Sequence, residues 1–255
     1  TWAEAVTAFE TYDTVIIDIT DDANSDAYIT DITLTGNNTI PAGKTLIIGN
    51  LYDDNGWVAS PGTATPDFQF IIAEGATLNV EGKLYNNIGR NSASSGLVVN
   101  GELVVTGNGL LYSTCTLNFG EKSEVTGFYT TANGKTGTQY KAMYAGDIDT
   151  LVPFAETHQY SDTTNAKAIF TYGNVTVDVD AETTISDLTL VVGGISGAAS
   201  TLTVPETADY SFGAINVKKD SQANVYGNID ATSVTNNGTV RILAQDASFG
   251  TTDPK

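Results

Sequence analysis

The oxygen-rich segment DDANSDAYITD, residues 21 to 31, sets Asp22, Asn24 and Asp26 at alternate positions, the opening spacing of a calcium loop. The rest of that pattern is missing. Ala27 stands where the turn calls for glycine, and Thr33 stands where a bidentate glutamate would close the shell. Asp21 and Asp31 are further oxygen donors nearby. A polar turn leaving a strand uses the same residue types, and that plainer reading is preferred. Asp53, Asp54 and Asn55 before Gly56 are ordinary turn chemistry. Calcium is therefore the one cofactor put forward, with Asp22, Asn24 and Asp26 as its candidate ligands.

Catalytic groups do not gather in the sequence. Arg90, in NIGRNSASSG, and Arg241, in TVRIL, have no carboxylate cluster close to them along the chain. His158 is the only histidine and has no G-x-S-x-G nucleophile motif to serve. A hydrolytic carboxylate pair can hide among 30 acidic residues, but nothing singles one out. The expectation is that the chain is not an enzyme. The single Cys115 excludes an internal disulfide, and in STCTLNF it alternates with Leu117 and Phe119 onto one face, as a small buried apolar side chain would. Sequons at Asn37, Asn174 and Asn237 allow glycosylation, in about the number that chance supplies.

Aromatic residues offer a different chemistry. Residues 128–172 hold Tyr129, Tyr140, Tyr144, Phe154 and Tyr160, an interaction surface on which sugar faces can stack. The competing reading is that these rings cover one flank of the core.

Composition narrows the partners. Eleven basic against 30 acidic residues leave a net charge of −19, so the chain cannot neutralise phosphates, and nucleic acid and anionic membrane surfaces are excluded as partners. Charged residues make up only 16%, below the ~25% usual for soluble domains. Thr, Asn, Ser and Gly take their place, which favours strands and tight turns over helices. No apolar run approaches the ~20 residues of a membrane span. The chain opens at Thr1 rather than Met, as a mature form would after removal of an export signal.

Several short elements must position these residues. TWAEAVTAFE carries a capping box at Thr1 and Glu4, and places Trp2, Val6 and Phe9 on one helical face. TVIIDITDD alternates like a half-buried strand, with Val15, Ile17 and Ile19 on one side. TIPAGKTLII and IIAEGATLNV share the pattern apolar-x-x-Gly-x-Thr-Leu-x-apolar when Ile40 is set on Ile72. VKKDSQANVYG, from Val217 to Gly227, follows IAEGATLNVEG over its whole length. Val80-x-Gly82-x-Leu84 returns 19 residues later as Val99-x-Gly101-x-Leu103. Such spacings suit a β-solenoid whose equivalent corners recur once per coil of about twenty residues. A β-sandwich, the alternative, has no need of one phrase at corresponding turns.

A short amphipathic helix, an alternating strand and then TIPAGKTLII and GATLNVEGKL resemble the start of right-handed parallel β-helix domains of bacterial and archaeal surface, adhesin-like and sheath proteins. The resemblance covers 1–127 closely and 173–243 loosely, and specifies architecture more than function. It implies an all-β parallel β-helix with a short N-terminal capping helix. The expected divisions are 1–127 (helix and coils), 128–172 (an irregular aromatic insertion) and 173–255 (solenoid-like strands and tail). The broader group includes polysaccharide lyases and hydrolases, whose sites set carboxylates beside an Arg or Lys. The expected function is an exported structural subunit that self-assembles head to tail into an extracellular filament, sheath or surface layer. Its helix caps one end, and nothing comparable closes the FGTTDPK end. Glycans are the second candidate partner, bound as by an adhesin.

Overall fold

The computed structural model describes residues 1–17, 31–49, 68–87, 96–106, 108–113, 117–120, 122–131, 139–140, 143–146, 148, 151, 168–177, 182–194 and 197–250. They form an all-β protein with one short helix. Helix α1 (Trp2–Ala8) is followed by β1 (Thr14–Ile17), β2 (Ile32–Leu34), β3 (Asn37–Ile40), β4 (Thr45–Gly49), β5 (Gln69–Ile72) and β6 (Thr77–Val80). Next come β7 (Lys83–Asn87), β8 (Gly96–Val99), β9 (Glu102–Val105), β10 (Leu110–Ser113), β11 (Leu117–Phe119), β12 (Glu124–Thr131), β13 (Gln139–Tyr140) and β14 (Met143–Gly146). The last are β15 (Ala168–Thr176), β16 (Glu182–Val192), β17 (Ser200–Val204), β18 (Asp209–Val217), β19 (Gln222–Val225), β20 (Asn228–Asn236), β21 (Thr239–Ile242) and β22 (Ser248–Gly250). The chain divides into two compact units, Thr1–Glu124 with Thr138–Tyr144, and Val125–Gly137 with Ala145–Lys255.

In the first unit consecutive strands join different parallel ladders. β1, β4, β7 and β10 form one, β2, β5, β8 and β11 a second, and β3, β6 and β9 a third. Register puts like on like. Leu46, Leu84 and Leu111 align in the first ladder, Phe70 and Leu97 in the second, and Ile40, Val80 and Val105 in the third. All of these side chains are buried, each stabilising the unit by about 1.5–3 kcal/mol relative to exposure. Asn86 and Ser113 lie among them, joined by a 2.9 Å hydrogen bond from the amide to the hydroxyl, which offsets the cost of their burial. β13 departs from the pattern and pairs antiparallel with β11.

The second unit has the same grammar with longer strands. β15, β17, β19 and β21 form one parallel ladder, and β16, β18, β20 and β22 another, with β15 also parallel to β16. The register of β16 on β18 shifts between Ile185 and Thr189, which bends the strand. β12 and β15 are antiparallel, pairing Tyr129 with Phe170. A buried hydroxyl cluster joins Thr171 to Ser200, and the Ser200 amide donates to Ser221 at 3.2 Å.

The repeated phrases mark corners, though not the same corner. Val80 ends β6 and Leu84 lies in β7, whereas Val99 ends β8 and Leu103 lies in β9. Val80 pairs with Val105, and Val99 with Ile72, so the 19-residue repeat does not stack on itself. The shared chemistry is the approach of backbone to backbone. Turns closed by Lys44 on the Pro41 carbonyl and by Ala76 on the Ala73 carbonyl aim their oxygens at Gly82 and Gly101, and a Cβ at either glycine would overlap them. In the matching VKKDSQANVYG stretch, Asp220 takes the place of Gly75 and adopts the same left-handed backbone, φ 64° against 77°. Aspartate is one of the few other residues to visit that region. Ion pairs are sparse: the described residues contain Thr1–Glu4, Asp13–Lys44 and Glu74–Lys122.

Candidate functional site

The residues expected to hold calcium, Asp22, Asn24 and Asp26, lie outside the described residues, as do Arg90, Cys115 and His158. Among the described residues no group of three His, Cys, Asp or Glu side chains is placed to hold a metal. Of the expected aromatic surface, Phe154 and Tyr160 also lie outside, Tyr140 is in β13 and Tyr144 in β14. Tyr129 requires a correction. It is fully buried, with its ring edge-on to Tyr172 at 5.1 Å, so it packs in the core instead of offering a contact. That burial pushes its phenol well above the usual tyrosine range. All three sequon asparagines are exposed, Asn37 at the start of β3, Asn174 in β15 and Asn237 after β20.

The two chain-terminal regions differ in how their apolar residues are covered. α1 begins with the capping box that the sequence predicts, Thr1 Oγ1 accepting from the Glu4 amide. Ala5 and Phe9 are buried and Trp2 is half-buried, its ring 5.9 Å from that of Phe70. Val6, expected on that face, is 44% exposed. Helical phase puts Ala5 and Val6 on opposite flanks of the Trp2–Phe9 line, and the Ala5 flank is the one that is covered. Behind the helix the first strands are anchored, since the Thr45 amide donates to Asp13 at 2.7 Å and the Lys44 ammonium reaches the Tyr12 carbonyl. Leu34 in β2 and Ile40 in β3, each first in its ladder, are completely buried.

Among the described residues no such cover lies over the last strands of the second unit. Val240 and Ile242 of β21 pair with Ala223 and Val225 of β19, both fully buried. Side chains in register point to the same face, so Val240 and Ile242 face the core, yet Ile242 is 49% exposed. Phe249 of β22 pairs with buried Ile229 but is itself only half-buried. Leu243 is exposed beside them, and Arg241, pointing the opposite way from its neighbours, forms no ion pair among the described residues. The result is an apolar edge at the last described strand of its ladder, in a stretch that also carries exposed Arg241 and Asp246. This arrangement can take up a further strand or an apolar surface. The signal in the sequence is the alternation of TVRIL.

Outward positions of the same ladder form a nearly uncharged face. One column runs Asn174, Thr201, Gln222 and Thr239, and the next Thr176, Thr203, Asn224 and Arg241. Near the corner Lys218 donates to the Gly194 carbonyl at 2.7 Å and lies over the Phe170 ring. Desolvation holds its ammonium below the usual lysine range. No protein family, curated protein or solved structure matches the chain.

Proposed function

We propose that the chain is a β-solenoid structural subunit that self-associates into an extracellular filament, sheath or surface layer. The observation that carries this reading is the uncovered last ladder. Val240 and Ile242 occupy core register, yet Val240 is only half-buried and Ile242 half exposed, as in an element waiting for a neighbour. Support for a solenoid over a sandwich comes from the parallel ladders, because sandwiches are built from antiparallel hairpins and Greek keys. No catalytic role is assigned. The test is electron microscopy of the protein at rising concentration, with and without a calcium chelator. Regular filaments or sheets are expected. Dispersed particles at every concentration would sink the reading, and loss of order on chelation would assign calcium to the 21–31 segment.

A second reading has its own observation. The hydroxyl and amide columns from Asn174 to Thr239 present donors and acceptors at a strand spacing of about 4.8 Å, suited to a neutral glycan as in an adhesin. Retention on a glycan array that is lost in Thr203→Asp, and not in Tyr140→Ala with Tyr144→Ala, would assign glycan binding to this face.

A further inference from the structure

The structure assigns Asn37, Asn174 and Asn237 as attachment sites for N-linked glycans. The number of sequons carries no weight here; their geometry does. The inference rests on the extracellular part of the reading above and is independent of self-association. Asn37-Asn38-Thr39 opens β3, Asn174-Val175-Thr176 lies in β15, and Asn237-Gly238-Thr239 leads into β21. In β3 and β15, residues two apart share a face, so the amide and the hydroxyl that a transferase must reach together point the same way. Asparagine and threonine are exposed in all three triplets, while between them Asn38 and Gly238 are half-buried and Val175 is buried.

The amides of these three asparagines are also free. Among the described residues Asn37, Asn174 and Asn237 make no side-chain hydrogen bond, whereas two adjacent asparagines do. Asn38 donates to the carbonyls of Thr35, Gly36 and Thr77, and Asn236 accepts from the Gly238 amide at 3.1 Å. Those bonds hold the turns and leave Asn37 and Asn237 outside them. Gly36 and Gly173, both at φ 67°, turn the chain immediately before Asn37 and Asn174. Asn79, Asn86, Asn224 and Asn228 bond within the fold, and none begins a sequon. Asn100, Asn108 and Asn216 make no such bond either, but no serine or threonine stands two residues on. Cross-strand from the triplets lie Thr77, Asn79, Thr201, Thr203 and Gln222, all uncharged, so a first sugar meets hydroxyls and amides. Transfer forms a bond from the asparagine Nδ2 to C1 of the first sugar of a polyprenyl-diphosphate oligosaccharide. The sugar–phosphate bond breaks, the lipid diphosphate leaves with its electron pair, and the amide nitrogen loses one proton.

Mass spectrometry of the whole chain tests this, on protein from its native source and on protein secreted from a eukaryotic host behind an added leader. Both should exceed the 26.7 kDa of the bare chain. Peptide-N-glycosidase in heavy-oxygen water should then leave labelled aspartate in place of Asn37, Asn174 and Asn237. In the secreting host, Asn37→Gln, Asn174→Gln and Asn237→Gln should each remove one oligosaccharide, and the triple variant all of them. None should lower the melting temperature of the deglycosylated protein, because these side chains hold nothing in place. Thr239→Ser should keep its glycan and Thr239→Ala lose it, which separates a sequon from a merely reactive asparagine. A bare chain from the secreting host overturns the sites, as does sugar found only on serine or threonine hydroxyls. A bare chain recovered from the native cell exterior overturns them too, and leaves filament or sheet formation untouched. Native protein found only inside the cell overturns the extracellular reading, and its glycosylation with it.

Discussion

Ile40 and Ile242 hold corresponding places at opposite extremes of the chain. Each is an inward residue in a terminal strand of its ladder, paired on one side with a buried valine. Ile40 is fully buried and Ile242 is half exposed. The strands themselves do not account for this, since both are parallel-paired and short. The accompanying elements differ: the first unit has a helix with Ala5 and Phe9 buried and Trp2 half-buried, and no helix follows β15 among the described residues of the second. Identical strand grammar thus accompanies a fully buried isoleucine in one unit and a half-exposed one in the other.

Matched substitutions should widen the contrast. Ile40→Asp buries an unpaired carboxylate and should cost more than about 4 kcal/mol, enough to unfold the first unit, whereas Ile242→Asp should cost under about 1 kcal/mol in the monomer. Urea titration of the two proteins measures this, and equal losses would erase the distinction. Removing the cover should come next in size. Phe9→Ala should lose about 3–4 kcal/mol in urea unfolding, and a loss under about 1 kcal/mol would show that the helix contributes little to the first unit.

Corners should behave alike in both regions. Gly82 faces the Pro41 and Lys44 carbonyls, and Gly238 faces those of Lys218 and Ser221. Alanine at either should cost about 2–3 kcal/mol by thermal or urea unfolding, which would locate the difference between the ends in their cover and not in their turns. A markedly cheaper Gly238→Ala would show that the open end is loosely built.

The smallest effect concerns Lys218, in the turn before β19. Its ammonium is held below the ordinary value of 10.5 by desolvation, so between its folded and unfolded pKa the unfolded chain binds more protons. Stability from this group therefore rises with pH through that window, and its desolvation cost is fully present below it. Urea midpoints of wild type should gain on those of Lys218→Met as pH climbs toward 10.5, and a constant difference would show that the side chain titrates as if exposed.

Much of this was legible in the residues, and the failures are instructive. Alternation and the turn phrases foretell strands and tight corners, and the match of VKKDSQANVYG to IAEGATLNVEG even anticipates Asp220 standing in for Gly75. The 19-residue recurrence misleads because similar turn chemistry serves several corners, and spacing alone cannot say which strand lies beside which. Val6 and Ala5 exchange roles because they flank the Trp2–Phe9 line on opposite sides, and periodicity alone does not say which flank the strands cover. Tyr129 is a core residue because its strand pairs with Phe170, which composition cannot reveal. The open edge was half readable: the alternation of TVRIL shows in the sequence, but the exposure of Ile242 depends on its neighbours in three dimensions.

The scarcity of ion pairs carries a consequence for the medium. Three pairs among the described residues, each involving a well-exposed carboxylate, contribute little, so the fold stands mainly on main-chain ladders and apolar columns that brine does not weaken. The −19 net charge, by contrast, is a self-repulsion that dissolved salt screens. Melting temperature should accordingly hold or rise from low to molar sodium chloride. A melting temperature that falls with added salt would contradict this.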